Sequence, residues 1–319
     1  MSNSKTNNFL INSEVNKYLE NIIKTELFAN GYIFHGAEGL GKKYTALKFI
    51  KGIFKQYSSR GNIEEKISNN NHPDFLIIEP SPPIKSKITK SSDSETAKKN
   101  NNEIIKIGQI RNMKTFIGQK SIESAKKIVL IIDAHLLNEA ASNCLLKTLE
   151  EPSNGIFILL TSKLDLLLDT IKSRCQLVRF RSFSAEEIEN LFKENLDHSK
   201  LDNKKINFQD LVNSANGSPG KLLNNLEIWN ELSDEISTKL DFPLKDNLEI
   251  LRISKLICEQ LETYEQIVLI QLIQQLWWRK TSNPNLVRKL ESLKLHIINH
   301  VQPRLAWEVT LLKIAVEDI

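Results

Sequence analysis

Cysteine is scarce in this chain and poorly spaced for joint work. Cys144, Cys175 and Cys258 are odd in number and far apart in 319 residues, so neither a disulfide framework nor a zinc module is indicated, and each reads as a buried or idle thiol. Long apolar runs are missing too. No stretch approaches the ~18 residues that span a bilayer, and the polar residues 1–8 lack the apolar core of a secretion signal, so the expectation is a cytoplasmic protein with no membrane contact. Strong charge of either sign is also absent. The 43 Lys plus Arg against 39 Asp plus Glu leave only +4, far from the basic footprint of a dedicated nucleic-acid binder. Lysine-rich residues 85–99 read as solvated loop rather than a phosphate track. There is no internal repeat.

What the chain does have is apolar residues in short, patterned runs, 40% of a length that suits two or three domains. Residues 126–133 are β-branched and apolar up to Asp133, the pattern of a strand buried on both faces of a parallel sheet, with Asp133 at its carboxyl edge. A helix follows over 138–152, with Ala141, Cys144, Leu145, Thr148 and Leu149 on one face and Pro152 as its stop. After a turn at 153–155, residues 156–161 and 176–180 make two more strands. Upstream, 9–28 reads as a helix (Val15, Leu19, Ile22, Ile23, Leu27), 32–34 and 72–79 as strands, and 105–116 as a helix (Ile107, Ile110, Met113, Phe116). Residues 80–103, rich in Ser, Lys, Asn and Pro, read as a flexible surface insertion. Five strands alternating with helices predict an α/β fold on a parallel sheet.

One loop carries a chemical signature. The strand at 32–34 runs directly into Gly36-Ala37-Glu38-Gly39-Leu40-Gly41-Lys42-Lys43, and a helix follows over 44–54 with Leu47, Ile50 and Phe54 inward. Strand, glycine loop and helix are the context of a phosphate-binding loop, where glycines let backbone amides approach phosphate oxygens at a positive helix end. Gly36, Gly41 and Lys42 occupy the positions that matter. The next position departs from the pattern: a working loop has Ser or Thr there to ligate magnesium, and Lys43 has no lone pair to give at neutral pH. The alternative is a loop that merely turns a strand into a helix. His72, alone beside Pro73, reads as a structural hydrogen-bonder rather than a ligand.

Beyond residue 182 the pattern is helical. Ser184 and Glu187 form a capping box for a helix through Ile188, Leu191 and Phe192, and residues 208–223 are helical with a break at 216–220. From 226 on, stripes at Leu248, Leu251, Leu256 and Leu261, at Ile267, Ile270, Ile273 and Trp277, at Leu286, Leu290, Leu293 and Ile297, and at Leu305, Val309 and Leu312 predict four or more amphipathic helices. Pro303 suits a first helical turn. Trp277 and Trp278 point in different directions on one helix, which makes one core and the other interface rather than a base-stacking pair.

The run N-C-L-L-K-T-L-E-E-P at 143–152, the segment T-I-K-S-R-C-Q at 170–176 and H-P-D at 72–74 resemble the clamp-loader branch of the AAA+ ATPases, above all the delta-prime subunits of bacterial DNA polymerase III. The resemblance extends to the neighbourhood of Lys221. It implies a three-part plan: an AAA+ α/β domain over 1–182 that includes the insertion 80–103, a helical lid over 183–225, and a helical collar over 226–319. It also implies site residues. Asp133 falls where a carboxylate holds magnesium through water, with the strand end or a helix cap as its other reading; the glutamate that follows it in active relatives is Ala134 here. Without a base or water-orienting group, hydrolysis loses a contribution of ~10²–10⁴ in rate. Thr161 and Lys221 match sensor-like positions, although Lys221 stands where arginine is usual and a plain loop-to-helix turn explains it as well. Arg174, flanked by Ser173 and Cys175, matches the finger that reaches a neighbouring subunit's nucleotide; a surface ion pair is the plainer alternative.

The family's four zinc cysteines, expected between 55 and 71, are absent, so no metal is predicted. ATP binding stays open and hydrolysis is not expected. The implied role is a non-hydrolysing stator, by itself neither polymerase nor active ATPase. It would complete a hetero-pentamer with gamma/tau and delta subunits and support loading of the sliding clamp onto primed DNA. The alternative is an ATP-hydrolysing subunit of the gamma/tau type.

Overall fold

The computed structural model describes residues 12–57, 62–81, 104–151, 155–193, 208–233, 235–236, 240 and 246–317. From residue 82 on, the expected insertion lies outside them. So do Phe9 at the start of the first expected helix, Pro152 as helix stop, and Ser153 and Asn154 of the expected turn. The chain divides into two compact units, Leu10–Arg181 and a second built on Ser182–Ile319.

The first unit is a parallel α/β layer structure. Its elements are α1 (Ser13–Thr25), β1 (Gly31–His35), α2 (Lys42–Tyr57), α3 (Ile63–Ser68), β2 (Phe75–Ile78), α4 (Ile107–Gly118), β3 (Lys127–Ile131), α5 (Glu139–Glu150), β4 (Gly155–Thr161), the single turn α6 (Asp169–Lys172) and β5 (Gln176–Arg179). The five strands lie in the order β2-β3-β4-β1-β5. Every pairing is parallel, with Ile33 beside Leu159 and Leu177, and Val129 beside Leu76 and Phe157. The apolar runs Ile128–Ile131 of β3 and Ile156–Leu160 of β4 follow from burial on both faces, with buried Lys127 and Thr161 at the strand ends. Val129, Ile131, Phe157 and Leu159 join Ala141, Leu145 and Leu149 of α5 in one cluster. Ile128, Leu130, Ile156 and Ile158 are as deeply buried on the opposite face, as the two-residue period of a strand requires.

Two helix faces in this unit depart from expectation. Leu27 is 78% exposed, because the left-handed Glu26 (φ 57°) ends α1 before it. On α5 the buried set is Ala141, Ser142, Leu145, Thr148 and Leu149, and Cys144 sits at the edge of the face. Asn138 caps α5 by accepting from Ala141 N–H at 2.8 Å. His72 is buried, accepts from Asp74 N–H at 3.1 Å through Nδ1, and stacks on Phe54 at 4.1 Å between ring centroids. Asp74, fully buried, accepts from the backbone N–H groups of Ile122, Glu123 and Ser124.

The second unit is helical among its described residues: α7 (Ala185–Lys193), α8 (Phe208–Ser214), α9 (Pro219–Glu231), α10 (Asn247–Gln260), α11 (Thr263–Thr281), α12 (Pro284–Ile298) and α13 (Pro303–Glu317). The Ser184 capping box forms in both directions, at 2.8 and 3.1 Å with Glu187. One apolar cluster runs from Ile188 through Trp277 to Ala315. Three polar contacts brace it: Trp307 Nε1 donates to Gln266, Trp277 Nε1 donates to the Leu240 carbonyl, and the partly exposed Arg279 bonds buried Asp210 at 2.7 Å. Trp277 is core, and Trp278 is 46% exposed.

Four expected stripe residues are on the wrong side. Leu248, Leu251, Leu305 and Val309 are exposed, and the inward faces are Ile250, Ile253 and Ile257 on α10 and Trp307, Leu311 and Ile314 on α13. Each helix carries two apolar rows, and the row that meets neighbouring helices is the buried one. No helix among the described residues is long and apolar enough to cross a membrane.

Candidate functional site

The glycine loop leaves the carboxyl end of β1. Gly36 N–H donates to Thr161 O at 3.3 Å, and Phe180 N–H donates to His35 O at 2.8 Å, so β4, β1 and the end of β5 converge there. Gly36 has φ +149°, and a Cβ on it would lie 2.5 Å from the Phe180 carbonyl oxygen; only glycine permits that approach. Gly41 (φ 78°) opens α2, its carbonyl accepting from Thr45 N–H at 2.9 Å. Lys42 turns back: its Nζ donates to Gly36 O at 2.6 Å and Ala37 O at 2.5 Å. Burial lowers its pKa, with the negative charges of Glu38 and Asp133 opposing. Lys43 pairs with Glu79 at 3.0 Å on the surface.

Beyond β3 the chain turns through Asp133, which takes left-handed backbone (φ 49°, ψ 51°); its carbonyl accepts from Leu136 N–H at 2.8 Å, and its side chain makes no capping hydrogen bond to the short 3-10 turn Ala134–Leu136. Ala134 has no exposed surface and packs in the apolar cluster with Ile131 and Leu159. Thr161, fully buried, accepts from Lys163 N–H at 3.0 Å and lies 3.3 Å from His135 Nδ1. Burial holds both His135 and His35 below the ordinary imidazole pKa. An open cleft of about 560 Å³ beside the loop is lined by His35, Gly36, Ala37 and residues 162–166.

The structure therefore gathers Gly36, Gly41, Lys42, Asp133 and Thr161 at one sheet edge. Position 43 supplies a cation engaged with a carboxylate, position 134 a packed methyl, and the loop lysine is held by its own loop's carbonyls. Among the described residues no group of three or more His, Cys, Asp or Glu could hold a metal ion.

Arg174 lies elsewhere. Its neighbour Cys175 packs against Gly31 at the amino end of β1, where a Cβ on Gly31 would come within 2.6 Å of Sγ. Burial pushes that thiol up to about 12, so its part is packing. The loop and the arginine turn thus occupy opposite ends of one strand, about 15 Å apart at the usual rise per residue. Arg174 Nη2 meets Glu150 Oε1 at 2.7 Å, and Nη1 donates to Thr170 O at 3.0 Å and to Ser173 Oγ at 3.4 Å. Ser173 Oγ donates to Thr170 O at 3.0 Å. Lys221 belongs to the second unit, exposed in the first turn of α9, where its N–H donates to Ser218 Oγ at 3.2 Å. Sequence reasoning missed Glu79 and Glu150 as partners of the two cations, since neither helical nor strand periodicity links residues so far apart in the chain.

A five-stranded parallel sheet in the order β2-β3-β4-β1-β5, with a glycine loop at the end of β1 and a helical region after it, defines the class of fold. The chain belongs to the family described as DNA polymerase III, delta subunit, whose model matches residues 11–184; residues 189–314 match the model described as cyanobacterial DNA polymerase III delta prime, C-terminal domain. It is 31% identical over 181 residues to DNA polymerase III subunit delta' of Bacillus subtilis, covering 55% of this chain and 49% of that one. It is 28% identical over 226 residues to subunit gamma/tau of Mycoplasma genitalium, covering 69% and 34%. The chain thus spans about half the length of the first of these relatives and a third of the second. In fold it is similar to the crystal structure of a DNA polymerase III gamma subunit-related protein from Thermotoga maritima, with a TM-score of 0.56 at 17% identity over 94% of this chain and 99% of that one.

Proposed function

We propose that this chain is a cytoplasmic clamp-loader subunit of the delta-prime kind that does not hydrolyse ATP and lends Arg174 to the nucleotide of a neighbouring subunit. The observation that carries this reading is the placement of Arg174 at the opposite end of β1 from its own glycine loop, out of reach of any nucleotide there and partly exposed. A trans arginine is worth ~10³–10⁵ in turnover where it has been measured. Lys43, Ala134 and the self-engaged Lys42 support a silent site in this chain. On this reading residues 183–225 act as lid and 226–319 as collar, Thr161 and Lys221 are idle sensors, and the partners are gamma/tau and delta subunits in a hetero-pentamer. That ring places the sliding clamp on primed DNA.

The test is ATP turnover by the purified chain, alone and mixed with its organism's other loader subunits, comparing the native chain with Arg174→Ala. Silence alone, with a lower turnover of the mixture for Arg174→Ala in an assembled ring, supports the reading. Magnesium-dependent hydrolysis by the isolated chain sinks it in favour of a gamma/tau-type ATPase.

A further inference from the structure

We infer that Glu150 is the positioning residue of Arg174, an inference that rests on the trans-arginine reading. The guanidinium is held from two sides. Glu150, the last residue of α5, takes Nη2 at 2.7 Å, and the Thr170 carbonyl of α6 takes Nη1 at 3.0 Å. The carboxyl-terminal residue of α5 and a backbone carbonyl of the single turn α6 thus converge on one cation. Both holders are anchored: Leu149 beside Glu150, Ile171 beside Thr170, and Cys175 beside Arg174 pack on the same apolar cluster. Of the five guanidinium donors, the bonds to Thr170, Ser173 and Glu150 occupy three, leaving the Nε–H and one Nη2–H for an incoming phosphate. A free arginine chain would lose rotamer entropy on reaching that phosphate, and Glu150 removes that loss beforehand by holding the side chain in one conformation. Glu150 touches no nucleotide; its effect passes through Arg174.

The experiment is steady-state ATP turnover of the assembled loader containing the native chain, Glu150→Ala, Glu150→Gln, Arg174→Ala or the Glu150→Ala/Arg174→Ala pair, with ring assembly checked for each. Glu150→Ala is expected to lower kcat about two- to fivefold, the scale of a partly exposed ion pair, with KM for ATP unchanged. Glu150→Gln, which keeps an acceptor oxygen, should recover part of the loss. The double variant should turn over no slower than Arg174→Ala alone. If Glu150→Ala matches the native chain while Arg174→Ala is slow, this inference fails and the finger reading survives. An equal loss from Glu150→Ala in the Arg174→Ala background makes Glu150 merely structural and overturns the inference. If Arg174→Ala is harmless, both fall together.

Discussion

Lys42 donates a hydrogen bond from its ammonium to the carbonyl oxygen of Gly36 at 2.6 Å, and so braces its own loop. A second bond, to Ala37 O, completes the brace. Lys42→Met should therefore destabilise the chain by about 1–2 kcal/mol with no nucleotide present, since two carbonyls lose a charged donor. Urea denaturation in nucleotide-free buffer measures it. A lysine serving phosphate alone would show no change.

Restoring the missing acid should fail. Ala134 is enclosed by Ile131, Leu159 and their neighbours, so Ala134→Glu, even combined with Lys43→Thr, buries a carboxylate in an apolar cluster. A loss of about 3 kcal/mol or more is expected, with no gain in ATP hydrolysis. Stable folding with new magnesium-dependent turnover would show that position 134 faces the nucleotide loop after all.

The packing of Gly31 against Cys175 can be tested by a pair of substitutions. A methyl at position 31 would meet Cys175 Sγ at 2.6 Å and Leu149 Cδ2 at 3.3 Å. Gly31→Ala should cost about 1–3 kcal/mol by overpacking. Adding Cys175→Ala removes the offending sulfur and should return most of that loss in a thermal melt.

Acid should weaken the first unit through its histidines. Burial lowers the pKa of His35, His72 and His135 below the ordinary 6.5. Around His72, Glu123 and Asp74 oppose that shift and Lys66 adds to it. Below pH 6.5 the unfolded chain takes up protons that the folded rings resist, so stability rises with pH there. The contribution is complete above 6.5 and is lost as pH falls through the depressed folded values. Unfolding free energy measured from pH 7.5 to 5 should fall more shallowly in His72→Gln than in the native chain.

Much of this was legible in the chain itself. The five strands, the Ser184 capping box and the split between Trp277 and Trp278 follow from local pattern, and each appears in the structure near its expected place. The exposed Leu248, Leu251, Leu305 and Val309 show where pattern runs out. A helix with two apolar rows does not reveal which one its neighbours will cover.

The sequence by itself determined the parallel α/β layer, the helical region after it, and the side-chain types at positions 43 and 134, because side-chain type and strand period are properties of single positions and their near neighbours. The tertiary structure alone decided that Lys42 faces its own carbonyls, that Lys43 meets Glu79, that Glu150 holds Arg174, and that Arg174 stands at the far end of β1 from the loop. Those relations depend on which distant segments the sheet brings together, and only the folded packing of strands and helices sets that.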